Sequence, residues 1–172
     1  MFADHFLPGV LELPTLARPL HYRAMREADL PAIAVIERQL FSSPWSEELF
    51  REDLDQEYAL SLVLTDAESI AGYMITFLVL DEMHIANVAI APAYQRRGIA
   101  FEVLRRLLTA GRRMHYFLAH LEVRQSNLGA IALYERLGFA KVGLRKNYYE
   151  NEHEDAVLMS CLLQSNPLLA SD

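Results

Sequence analysis

"NVAIAPAYQRRGIA", residues 87–100, runs out of an apolar strand-like segment into the start of a helical pattern, with Gln95, Arg96, Arg97 and Gly98 at the junction. Beyond it, Ile99, Ala100, Val103, Leu104, Leu107 and Leu108 recur with helical period, while Glu102, Arg105, Arg106, Arg112 and Arg113 lie off that stripe. The spacing predicts an amphipathic helix of about four turns. Before the junction, residues 83–90 read as a strand after a turn at 81–82, and 58–65 with 70–80 read as a hairpin turning at 66–69. After the helix, "FLAHLEVR" (117–124) alternates, Leu121 and Val123 on one face and His120, Glu122 and Arg124 on the other. A second helix is expected over 127–137, stopped by Gly138, followed by strand-like segments at 139–144 and 156–163.

Upstream, residues 20–25 read as a short strand. Asp29 is a candidate cap for a helix with Pro31 in its first turn and Ile33, Val35, Ile36 and Leu40 along it. Ser46 in "SPWSEELF" is a second helix-start signal. Strands first, then strand and helix in alternation, predict an α+β fold with helices packed on a mixed sheet.

The 172 residues, 52% of them hydrophobic, suffice for one domain with a full core. A formal net charge of −7 offers no global basic field for nucleic acid. The acidic balance suits a positively charged partner, and a local basic loop suits a small anionic ligand. Cys161 is the single cysteine, expected to be a buried thiol in a final strand, which excludes an internal disulfide and fits a reducing compartment. The N-terminus carries Asp4 and no basic n-region, and the longest apolar run, 70–80, falls far short of the roughly 20 residues a spanning helix needs. These features predict a cytoplasmic protein with no membrane association. Residues 1–19, broken by Pro8, Gly9, Pro14 and Pro19, read as an N-terminal extension, either lying against the domain or loose. The domain is expected over 20–165, with 166–172 as a C-terminal tail. His5, His21, His84, His115, His120 and His153 are scattered and suggest no metal site.

A helix N-terminus offers unpaired N–H groups and the positive end of the macrodipole to an anion. Gly98 allows close backbone approach or a φ that other residues resist. On spacing alone the loop is either an anion cradle or a surface turn with a glycine. It is neither a Walker A loop nor GxGxxG, which argues against nucleotide hydrolysis and dinucleotide redox chemistry.

Gln95-Arg96-Arg97-Gly98-Ile99-Ala100 resembles the Q/R-x-x-G-x-G/A loop of the GNAT acetyltransferases. "PWSEELF" (44–50), "LEVRQSNLGAIALYERLGF" (121–139) and "RKNYYENEHEDAVLM" (145–159) agree with it in order and spacing. Together they are similar to the RimI branch, whose members acetylate the N-terminal α-amine of a ribosomal protein, and the resemblance covers about residues 21 to 163. It implies the GNAT fold, a central mixed, mostly antiparallel sheet flanked by helices and splayed where acetyl-CoA enters. It also implies acetyl-CoA as co-substrate, no metal, and a protein N-terminus as acceptor, a basic ribosomal protein being the candidate. Oligomeric state stays open.

By the same resemblance, loop residues 95–100 hold the pyrophosphate through backbone amides. The main chain at Val88, Ala89 and Ile90 pairs with the pantetheine arm, and Asn127 contacts the cofactor. Read from its sequence position, Asn127 is equally a helix cap. Glu122 becomes the general base and Tyr134 the acid that protonates the departing thiolate. From the residues alone, Glu122 is a partner for Arg124 or His120, and Tyr134 a core aromatic, its phenol of ordinary pKa near 10 competent to donate. Trp45, Asp81, Glu82, Tyr148 and Tyr149 match positions near the acceptor groove; their plain alternatives are a core tryptophan and a solvated turn. "ENEHED" (150–155) reads as a solvated hairpin.

Two features depart from the pattern. Ala100 stands where the branch commonly has a second glycine, and Phe101 follows where a small or charged residue is frequent, either crowding the cofactor or marking a contact surface. The remaining alternatives are a lysine or small-amine acetyltransferase and a non-catalytic acyl-CoA-binding protein.

Overall fold

The structure, a computed structural model, describes residue 3 and residues 6–67 and 69–170. Asp4, His5 and Glu68, which enter the readings of the N-terminus, the scattered histidines and the 66–69 turn, lie outside the described residues, as do 171 and 172 of the C-terminal tail. The chain forms two compact units. The first comprises residues 1–77 and 87–103, the second 78–86 and 104–172.

In the first unit, β1 (Gly9–Leu11), β2 (Leu20–Ala24), β3 (Ala59–Thr65) and β4 (Ile70–Val79) lie side by side in sequence order, and the later half of β5 (Glu82–Ile90) follows β4. The pairs β1–β2, β2–β3 and β3–β4 are antiparallel. β3 and β4 are near-continuous apolar runs because both faces are covered: Leu62, Val63, Leu64, Tyr73, Met74 and Ile75 are all fully buried. Gly72 is obligatory here, since a Cβ would stand 2.5 Å from the Ala89 carbonyl oxygen. The proline-broken extension contributes β1, buries Leu11 completely, and stacks Phe6 against Tyr22 at 5.2 Å.

To this unit belong α1 (Leu30–Leu40) and α2 (Glu47–Leu54). Ser46 caps α2 as its sequence indicates, its hydroxyl accepting from the Leu49 N–H at 3.2 Å. Asp29 does not cap α1. Its carboxylate accepts the Arg26 N–H and two bonds from the Arg23 guanidinium at 2.7 and 2.8 Å, because a bidentate charged donor outcompetes a helix-end amide. Val35, expected on the apolar stripe, is exposed; Glu37 is buried in its stead.

The second unit orders its strands as the first half of β5, then β6 (Leu118–Arg124), β8 (Glu154–Leu162) and β7 (Ala140–Tyr149). β5 and β6 run parallel, in register at Glu82↔Leu118, Met83↔Ala119 and His84↔His120; β6–β8 and β7–β8 are antiparallel. The sheet is thus mixed and mostly antiparallel, as expected. α3 (Ile99–Arg113) begins in the first unit and ends in the second, and α4 (Leu128–Arg136) lies in the second. Ala119, Leu121 and Val123 of β6 are buried, leaving His120, Glu122 and Arg124 half-buried on the opposite face. Cys161 is a buried thiol on β8, as predicted, with the Asn166 amide 3.2 Å from its sulfur. Among the described residues, no helix is long and apolar enough to cross a membrane.

Candidate functional site

In the first unit, β5 ends at Ile90 and the chain passes through a short 3-10 turn, Pro92–Tyr94, before α3. Arg96 (φ 63) and Gly98 (φ 81) both take left-handed backbone, which turns the loop sharply into the helix. The Glu102 N–H reaches the Gly98 carbonyl at 3.1 Å as the first bond of α3. The N–H groups of Ile99 and Ala100 precede that bond and have no acceptor within the helix. A Cβ on Gly98 would meet nothing within 4 Å, so the approach to this turn is open.

The loop's side chains divide by role. The Gln95 amide folds back to donate to the Ile90 carbonyl at 2.9 Å, bracing the turn. The Arg97 carbonyl accepts from the Thr15 hydroxyl at 2.6 Å, and its guanidinium sits 5.8 Å from the Tyr94 ring. Residues 95–98 are exposed. Ahead of the loop, Ala89 and Ile90 are buried and Val88 and Phe101 are half-buried.

The same unit holds a buried carboxylate that the sequence reading passed over. Glu37 on α1 is 1% exposed and accepts from the Tyr73 hydroxyl, from the Asn87 amide at 2.6 Å and from the Trp45 N–H at 3.2 Å. Burial pushes its carboxyl up, against the three donors. The signal was present: Glu37 stands four residues after Ile33 and one after Ile36, inside the apolar stripe. Trp45, a predicted acceptor-groove residue, is therefore held by its backbone, and its ring packs 5.5 Å from Phe50.

In the second unit Glu122 stands two residues past His120, the last β6 residue in register with β5. Its Oε2 lies 2.7 Å from His84 Nε2, a partner different from the Arg124 or His120 expected from spacing. The His84 contact holds the Glu122 carboxyl below its ordinary range despite partial burial. Arg124 instead spans Glu152 (3.3 Å) and Glu154 (3.2 Å) and lies over the Tyr149 ring at 3.9 Å. Glu154 also accepts the Ser126 N–H at 2.7 Å, so the 150–155 stretch is a latch and more than a solvated hairpin.

Tyr134, on α4, packs edge-on to Phe139 at 5.8 Å. Burial, with Tyr149 nearby, pushes its phenol up to about 12, correcting the ordinary value assumed from sequence. Tyr149 is likewise raised by burial to about 12, with Arg124 opposing the rise. Asn127 does cap α4, its side-chain oxygen accepting the Ala130 N–H at 3.1 Å. Of the acidic pair, Glu82 approaches His120 at 3.7 Å, while the Asp81 carbonyl accepts the Phe117 N–H at 2.7 Å. Tyr148 and Tyr149 meet edge to face at 5.1 Å. In the second unit Glu122 is thus an ionised carboxylate that can take up a proton, and Tyr134 a phenol that stays protonated at neutral pH. Among the described residues, no group of three or more His, Cys, Asp or Glu could hold a metal ion.

Residues 30–139 match the model of the acetyltransferase (GNAT) family. The chain belongs to the GNAT family. It is 42% identical, over 77% of its length and 90% of the relative's, to the [ribosomal protein bS18]-alanine N-acetyltransferase of Salmonella typhimurium. The Escherichia coli (strain K12) protein of the same description is 39% identical, over 80% of this chain and 93% of that one. In three dimensions the chain matches the crystal structure of the ribosomal-protein-S18-alanine N-acetyltransferase from Escherichia coli, with a TM-score of 0.77 and 37% identity over 84% and 94% of the two chains. Ard1 from Thermoplasma volcanium, at 22% identity and a TM-score of 0.75, shares the fold. This GNAT protein is an N-acetyltransferase of the RimI type.

Sequence reading of this GNAT chain also missed His84. It looked like one of several scattered histidines, yet Glu82/His84 and His120/Glu122 share the same two-residue spacing. In neighbouring parallel strands that spacing gathers four polar side chains on one face.

Proposed function

We propose that this chain acetylates the N-terminal alanine of ribosomal protein bS18, moving the acetyl group directly from acetyl-CoA to the α-amine. The observation that carries the reading is the 42% identity to a bS18-alanine N-acetyltransferase across 90% of that relative. The geometry supports it. The Gly98 turn, with open space before it and, behind it, N–H groups that have no acceptor inside the helix, fits a pyrophosphate. The flanking Arg96 and Arg97, exposed, add charge at the rim. The main chain at Val88, Ala89 and Ile90 holds the pantetheine arm and polarises the thioester carbonyl, with Gln95 shaping the loop and Phe101 beside it; by the family pattern Asn127, in the second unit, also matches a cofactor position.

Glu122 is the base in this reading and Tyr134 the acid. An α-amine has an ordinary pKa of about 8 and a lysine about 10.4, so freeing the lysine nitrogen at neutral pH costs about 3 kcal/mol more. A single, strongly ionised carboxylate therefore suits an N-terminal acceptor. By the family pattern Trp45 of the first unit and, in the second, Asp81, Glu82, Tyr148 and Tyr149 match acceptor positions, and the two carboxylates attract a basic chain. The site acts in the cytoplasm, where ribosomal proteins are made.

Two outcomes are expected. A short peptide with a free N-terminal alanine releases CoA thiol, whereas its N-terminally blocked, lysine-containing twin does not. Activity on the blocked peptide would move the assignment to side-chain acetylation, and acetyl-CoA binding without turnover on either would make it a binding protein. Gly98→Ala puts a Cβ at φ 81, a strain of about 1–2 kcal/mol. Its KM for acetyl-CoA is expected to rise about fivefold or more as the turn relaxes away from its left-handed shape, and its unfolding temperature to fall by a few degrees, roughly 2–4 °C per kcal/mol of strain. An unchanged KM would take the pyrophosphate away from this loop.

A further inference from the structure

In the first unit one buried carboxylate joins segments that are far apart in the chain. Glu37, in the last turn of α1, is 1% exposed. Its Oε1 accepts from the Tyr73 hydroxyl on β4 and from the Asn87 amide on β5 at 2.6 Å, and its Oε2 accepts the Trp45 N–H at 3.2 Å. The Trp45 ring packs 5.5 Å from Phe50, and Phe50 stands edge-on to Tyr73 at 5.4 Å. The contacts therefore close a circuit from Glu37 through Trp45, Phe50 and Tyr73 and back. We propose that Glu37 is a positioning residue for the acceptor: it fixes the main chain at Trp45, and with it the turn between α1 and α2, so that the half-buried Trp45 ring meets the incoming N-terminus. This deepens, and rests on, the reading of Trp45 as an acceptor residue.

Residues 41–46 form neither helix nor strand, so no backbone ladder sets the course of that turn. An acceptor placed inside the core supplies the constraint instead. Glu37 itself is too deeply buried to touch the peptide or to take up its proton. What it provides is direction. Burying an ionised group costs free energy, and burial pushes this carboxyl up despite its three donors. An apolar side chain of similar size would fill the space without that cost, yet it could orient none of the three donors.

The two oxygens serve two ends. Oε1 ties α1 to the strands, at Tyr73 and at Asn87, the residue immediately before Val88 and the pantetheine-binding main chain of the proposed site. Oε2 alone reaches the turn that carries Trp45.

Glu37→Gln separates these two ends. The amide oxygen takes the place of Oε1, where two donors converge, and the NH2 group is left against the Trp45 N–H, donor facing donor. The tie to Trp45 is broken while those to Tyr73 and Asn87 stand. With acetyl-CoA and a peptide bearing a free N-terminal alanine, the peptide KM is expected to rise about tenfold, with kcat and the KM for acetyl-CoA within about twofold of wild type, the pattern of a lost binding interaction. Tyr73→Phe controls for a loosened core, since it takes one donor from Oε1 and leaves Oε2 to Trp45. Its unfolding temperature is expected to fall by a few degrees while its peptide KM stays within about twofold.

A Glu37→Gln enzyme with an unchanged peptide KM overturns the proposal. So does one whose two KM values rise together, or a Tyr73→Phe enzyme whose peptide KM rises as far. Trp45→Ala separates the two claims. An unchanged peptide KM there removes the acceptor reading of Trp45 and this proposal together. A raised one, beside an unaltered Glu37→Gln, removes this proposal alone. Amide hydrogen exchange on the full wild-type chain reads the tie without any variant. A Trp45 N–H that exchanges far more slowly than a free amide supports it, and one that exchanges at the free rate refutes it.

Discussion

Replacing Tyr134 with phenylalanine is expected to lower kcat for acetyl transfer about a hundredfold while leaving the affinity for acetyl-CoA within about twofold. The hydroxyl alone is removed, and the ring that packs on Phe139 remains, so the fold should tolerate the change. Burial holds the phenol at about 12, which keeps it protonated throughout the neutral range. A thiol has an ordinary pKa near 8.5, so complete transfer from such a phenol to a thiolate is uphill. The contribution is greatest as a hydrogen bond that strengthens while negative charge collects on sulfur, with the proton moving as the amine proton departs. The measurement is steady-state thiol release with acetyl-CoA binding followed separately. A variant with undiminished kcat would remove Tyr134 from the chemistry, whereas a loss confined to KM would make it a binding residue.

Glu122→Gln should lower kcat/KM for the peptide about a hundredfold at neutral pH, again with acetyl-CoA binding preserved. The amide keeps an oxygen for His84 and nearly the same shape, so the comparison isolates the charge. Because the His84 contact holds the wild-type carboxyl below its usual range, the loss should be constant between about pH 6 and 9. Stability carries the complementary sign. A depressed folded-state pKa stabilises the fold fully above the unfolded value of about 4.3, and that contribution disappears as pH falls through the folded value. The difference in unfolding temperature between wild type and variant should therefore close in acid. Full peptide acetylation by Glu122→Gln would reassign the base.

The two variants probe different ends of one reaction, so their effects should not be additive if proton uptake and thiolate protonation are coupled in a single step. The double variant would then fall by less than the product of the two losses. Both assignments came from the family pattern at "LEVRQSN" and "ALYERLGF". The structure supplies what the pattern does not, namely His84 beside Glu122 and the desolvation of the Tyr134 phenol.

Some of this protein is written into local chemistry. The period change at Gly98 announced a strand followed by a helix, the alternation of 118–124 announced one buried face, and Ser46 and Asn127 announced two helix starts. These are short-range consequences of backbone geometry and side-chain reach, so they can be read from neighbouring residues. The glycine-arginine loop belongs with them, since φ values above zero at Arg96 and Gly98 are a property of the turn itself.

The remainder depended on which distant residues meet. Asp29 looks like a cap until Arg23 is brought beside it by the strand before the helix. Glu37 stands inside the apolar stripe of its helix, but nothing local names its partners: Tyr73, Asn87 and Trp45 converge on it from three other segments. Glu122 has Arg124 and His120 as sequence neighbours, but the parallel register of β5 with β6 delivers His84 to it across 38 residues. Sequence fixes which side chains share a face because that follows from the strand's two-residue period. Which partner a charge finds is settled between strands, where register and burial choose among groups that no local pattern links.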